Sequence, residues 1–204
     1  MSAPVTVRPR GFAVRLPESW VELDIWRATR TGDVPRLVAA QVAANPALAP
    51  YRGLAVRLIR DLARRAERAG AVFLATTVDG SVSDGVLTAT IMAFYTQGPD
   101  DPDERTVERM AAQLTAVSPS SASPYWRRVE IVNLAAGRAV RVLGVEPADV
   151  DGRGTVDCVT MQTLIPLPDG GGVLNIACCS PQIALAEPML DLFDAITGTL
   201  EWRS

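Results

Sequence analysis

Neither histidine nor lysine occurs in these 204 residues, and all 20 basic side chains are arginine. Imidazole is the ordinary general base and metal ligand near neutral pH. Lysine supplies Schiff bases and the phosphate-gripping amine of the P-loop. Serine, cysteine and zinc hydrolases built on imidazole are therefore excluded. Any chemistry has to come from carboxylates, hydroxyls, arginine or thiols. Also missing is an apolar run approaching the roughly 18 residues of a membrane span. The opening segment Met1–Arg10 has no apolar stretch of signal-peptide kind and no cysteine for a lipid anchor. A cytoplasmic protein with reduced thiols is expected. The net charge of −3 and pI near 5.1 argue against a nucleic-acid partner, which calls for a basic surface. No membrane partner, cofactor, metal or catalytic residue is expected.

The thiols are few. Cys158, Cys178 and Cys179 are odd in number and lack metal-ligand spacing. Cys178 and Cys179 close the apolar run Val173–Cys179, and neighbours on a strand point to opposite faces. A bond between them is disfavoured, and they read as small core hydrophobes, with a redox role as the sharper alternative.

What is present describes an α+β protein. The length fits one domain over 1–204, with 1–10 as a flexible tail. Ala, Gly, Pro and Arg are plentiful, as in the chains of a high-GC bacterium. Phe12–Leu16 alternates at period two and Trp20–Ile25 follows a Pro17 turn, which predicts a hairpin or two successive edge strands. Asp33 and Pro35 open a helix to about Ala44. The spacing predicts a long helix over Ala47–Ala69, with Leu48, Tyr51, Leu54, Leu58, Leu62, Ala66 and Ala69 as its apolar stripe and Gly70 as its stop. Strands are expected over 71–78 and 85–95, a helix over 104–117, and four strands near 127–134, 138–145, 154–166 and 172–180. Turn residues between those four favour antiparallel neighbours. A last helix, about 185–200, carries Leu185, Met189, Leu192, Phe193 and Ile196 on one face.

Four segments together resemble the PsbP-type fold, shared with the Ran-binding Mog proteins and the LpqN-like lipoproteins: Phe12–Trp20, Ala136–Arg141, Thr163–Pro168, and Leu192–Ile196 with Trp202. The resemblance implies an αβα sandwich, an antiparallel sheet of about six to eight strands packed between helices. It also implies proteins that mostly act by binding, with no shared catalytic set. LpqN-like relatives carry an export signal and a lipid anchor that this sequence does not show.

Arg57, Arg60, Arg64 and Arg68 recur at helical spacing opposite the stripe and could grip an acidic partner; Asp61 and Glu67 nearby fit an ordinary solvated face. Asp100, Asp101, Asp103 and Glu104, and likewise Asp149-x-Asp151-Gly152, lack the ligand order of a calcium loop. Asp191 and Asp194 could pair for acid–base work, with solvent exposure the default. Gly170–Gly172 do not open a helix after a strand and so fail the dinucleotide context. Trp26 and Trp126 are candidate partner contacts, while Trp20 and Trp202 fit the core positions that the resemblance implies. Ile91–Tyr95 is either an apolar client face or an ordinary core strand.

The leading expectation is a non-enzymatic protein-binding module, a chaperone or adaptor for a secreted effector, with that effector or a second copy as partner. The alternative is a domain binding a small apolar acid between sheet and helices, gripped by an arginine such as Arg141. A carboxylate enzyme, or a thiol enzyme using Cys158, is the third reading.

Overall fold

The computed structural model describes residues 11–25, 33–44, 46–82, 85–97, 106–116, 126–149 and 154–203. The expected tail, Trp26 and the acidic 100–104 loop lie outside them. Nine strands and four α-helices occur among the described residues, in the expected α+β class. Seven strands form one sheet in the order β2-β3-β4-β8-β7-β6-β5, and β1 pairs with β9 in a second, two-stranded sheet. Contacts group the chain into two compact units, Glu18–Phe94 and a unit built from Met1–Pro17 with Tyr95–Ser204.

In the first unit, β2 (Trp20–Glu22), β3 (Phe73–Val82) and β4 (Gly85–Gln97, to Phe94 here) pair antiparallel. Helix α1 (Asp33–Ala44) starts and ends where Asp33 and Asn45-Pro46 predict. The long helix is divided: a 3-10 turn over Pro46–Tyr51 precedes α2 (Arg52–Arg68). Pro50 lacks an amide proton and disfavours helical backbone before it, so regular hydrogen bonding begins only after it. Gly70 stops α2 at φ +73, and its N–H donates to the Glu67 carbonyl at 3.1 Å, the left-handed cap that glycine allows. The core joins Val34 and Val38 of α1 to Ile59, Ala63 and Ala66 of α2 and Leu74 of β3. This corrects the expected stripe. Ala66 is core, but Leu54 and Leu58 are about half exposed.

The second unit holds β5 (Arg127–Leu134), β6 (Gly137–Asp149), β7 (Thr155–Pro166) and β8 (Gly172–Ser180) as an antiparallel set. Alternation along these strands gives two apolar faces. Helix α3 (Val107–Ala116) packs Val107 and Met110 with Val140 and Val173 on one face. Helix α4 (Ala186–Gly198) packs on β7 and β8, burying Met189, Phe193 and Ile196. Of the two arrangements expected for the first two strands, the hairpin does not form and the strands are successive edge strands. Strand β1 (Gly11–Ala13) pairs with β9 (Glu201–Arg203), Phe12 opposite Trp202, while β2 pairs with β3. Three-residue strands carry too little periodicity to choose a partner locally.

Candidate functional site

An apolar cavity of about 380 Å³ lies wholly within the first unit. Its floor is one face of the sheet. Register puts Val21 opposite Thr76, Thr76 opposite Thr90 and Val78 opposite Thr88, so these side chains rise from the same side. The Thr76 hydroxyl donates to the Ala89 carbonyl at 2.9 Å, which leaves its methyl as the useful surface. Leu37, Val38, Gln41 and Val42 of α1 form one wall, and Leu54, Ala55, Leu58, Ile59 and Leu62 of α2 the other. Leu48 and Tyr51 of the 3-10 turn close one end. Arg65, one turn beyond Leu62, supplies the single charged side chain of the lining.

The mouth is open. Tyr51 is 54% exposed, Leu54 52% and Leu58 49%, where a helix packed only on its own core would have buried them. Helix α2 presents two adjoining apolar rows. Ile59, Ala63 and Ala66 seal the core, and the Leu54, Leu58, Leu62 row lines the cavity. An apolar arc wider than one core-facing stripe was the sequence signal for this site. The threonines of β3 and β4 gave none, since a β-branched strand reads the same with or without a cavity over it.

The expected site residues fall apart into several places. Arg57, Arg64 and Arg68 lie on the exposed side of α2, with Arg60 half-buried. Arg64 pairs with Asp61, and the Arg68 Nε donates to the Arg64 carbonyl at 3.3 Å. Trp126 precedes β5 at 37% exposure. Arg141 is not in the cavity, which corrects its expected role. It is buried on β6, and its guanidinium pairs with Asp194 of α4 at 2.5 Å and donates to the Thr197 hydroxyl at 3.1 Å. Asp194 is thereby an ion-pair partner, and both it and Asp191 are exposed, as expected by default. Ile91 and Ala93 are fully buried and so are ordinary core strand, while Tyr95 at the end of that segment is exposed.

The thiols sit on β7 and β8. Cys178 is buried, and loss of hydration pushes it up to about 12. Cys158 and Cys179 share the opposite face, where a hydrogen bond from Cys179 holds the Cys158 thiol below its ordinary value and raises Cys179. No group of histidine, cysteine or acidic side chains that could hold a metal occurs among the described residues. No described helix is long and apolar enough to cross a membrane.

No family model matches the chain, and no curated protein matches it. Among solved structures, LpqN, involved in cell envelope biogenesis of Mycobacterium tuberculosis, is similar at 10% identity and a TM-score of 0.44, over 96% of this chain and 86% of that one.

Proposed function

We propose that this chain is a non-catalytic binding domain for a small amphiphilic acid, which places its apolar tail in the cavity and its carboxylate at Arg65. The observation that carries this reading is the cavity itself. It is walled almost entirely by carbon and lined by one charged side chain, which is cationic. Ligand sites commonly occupy about 300–1,000 Å³ with a few oriented polar groups in an apolar lining. At roughly 30 Å³ per water-sized group, there is room for a tail of about a dozen heavy atoms. Each methylene transferred from water contributes about 0.8 kcal/mol, and a guanidinium suits a carboxylate. Of the readings the sequence leaves open, this one has a cavity to support it. The PsbP-type resemblance, to proteins that mostly act by binding, points the same way. Three free cysteines fit a reducing, cytoplasmic setting.

The test is calorimetric titration of the full chain with dodecanoate, dodecanol and dodecyltrimethylammonium. Binding should be tightest for the acid and weakest for the cation. Arg65→Gln should weaken the acid about tenfold, as for one charge-assisted contact, and leave the alcohol unchanged. Val78→Trp, which fills the floor, should abolish both. A folded protein that takes up none of the three, or prefers the cation, would overturn the proposal.

A further inference from the structure

Helix α2 is out of balance with the rest of the chain. Its 17 residues hold six arginines against Asp61 and Glu67, a net charge of +4, whereas the whole chain carries −3. Three of the six arginines share one row of the helix. From Leu54, one row at intervals of three and four runs Arg57, Asp61, Arg64, Arg68, and the next runs Leu58, Leu62, Arg65. The first row is the outer band and the second lines the cavity. The band therefore borders the lip where Tyr51, Leu54 and Leu58 are 54%, 52% and 49% exposed.

We infer that this band and lip form a docking surface for an anionic lipid bilayer, with the cavity mouth facing the membrane. A large apolar side chain at half exposure is unremarkable singly. Three in contiguity, edged by arginines on one amphipathic helix, have the chemistry of an interfacial contact. The leucines and tyrosine enter the acyl boundary while the guanidinium groups meet lipid phosphates. Such a segment adds attraction near an anionic surface for each arginine, and the attraction fades within about 10 Å at ordinary salt. An acidic protein is repelled from such a surface overall, so the contact is confined to this helix and weakens with salt. The expectation of no membrane partner rested on the lack of a spanning run, a signal segment and a lipid-anchor cysteine, none of which bears on docking through a helix face. The inference adds a place of loading to the proposed ligand reading, because an amphiphile leaving the bilayer would meet the open mouth first, but it stands on α2 whatever the cavity holds.

Flotation of the full chain with vesicles of phosphatidylcholine alone, and with equal parts phosphatidylglycerol, tests it. Binding is expected to the anionic vesicles only and should fall at high salt. The triple variant Arg57→Gln, Arg64→Gln, Arg68→Gln should bind roughly a hundredfold more weakly while keeping its circular dichroism and its uptake of dodecanoate. Leu54→Ser with Leu58→Ser should also lose vesicle binding. Anionic vesicles ignored by folded protein, or bound equally by the arginine variant, would overturn the inference. So would capture of polyglutamate in preference to vesicles, which would assign the surface to an acidic protein. Vesicle binding without dodecanoate uptake would leave the docking surface standing and remove the ligand reading.

Discussion

Two single residues show how tightly the second unit is built. A Cβ on Gly144 would lie 2.1 Å from the Trp126 carbonyl oxygen, and that oxygen accepts the Val145 N–H at 3.0 Å. Backbone, not a yielding side chain, occupies the space. Gly144→Ala is expected to cost about 2–3 kcal/mol by forcing β5 off β6, measured as a lower urea midpoint at unchanged slope. The Cys178 thiol gives a pH signature. Its folded value, about 12, lies above the ordinary 9.0, because burial disfavours the thiolate. The unfolded chain therefore releases this proton first. The stability linked to Cys178 is fully present below pH 9 and is lost as pH rises toward 12, on the order of 4 kcal/mol over the whole window. Urea titrations should show this alkaline decline, and Cys178→Ala should make it shallower while leaving the part of the same sign that Cys179 contributes. The opposite faces of Cys178 and Cys179 were legible from adjacency alone. The hydrogen bond from Cys179 to Cys158 was not, because it depends on which strands pair and in what register.

At the scale of elements, long segments declared themselves and short ones did not. Helix α1, the strands from β3 to β8 and helix α4 lie within a few residues of where periodicity and turn chemistry put them. The pairing of β1 with β9 joins Phe12 to Trp202, residues at opposite ends of the chain, and no local rule reaches that far. Trp202 holds the junction from two sides. Its ring lies across from Phe12, and its indole N–H donates to the Ala136 carbonyl at 2.8 Å. Phe12 in turn meets Tyr95 edge-on, with ring centroids 6.3 Å apart. Trp202→Ala should lose about 3 kcal/mol. Trp202→Phe, which keeps a ring but not the donor, should lose about 1 kcal/mol. Equal losses in thermal melts would show that ring packing contributes nothing there. The division of the long helix belongs to this scale too. Pro50 was visible, yet the strength of the leucine spacing concealed its effect on where α2 begins.

For the whole molecule, the amino-acid sequence settled the chemical repertoire and the class of fold. Without histidine or lysine, no arrangement of this chain can supply imidazole or a side-chain amine. Alternation at two and spacing at three to four dictate strands and helices through covalent geometry, before any tertiary contact forms. What the leucines of α2 do could be decided only in three dimensions. Leu54 and Leu58 have the same spacing as a core stripe, and a periodic pattern marks an apolar face without naming what covers it. Small residues at Ala63 and Ala66 draw α2 to the core on one side. The threonine and valine floor remains under the other. The opening left between them depends on the packing of α1, α2 and the sheet, a property of their combined volumes that no residue carries alone.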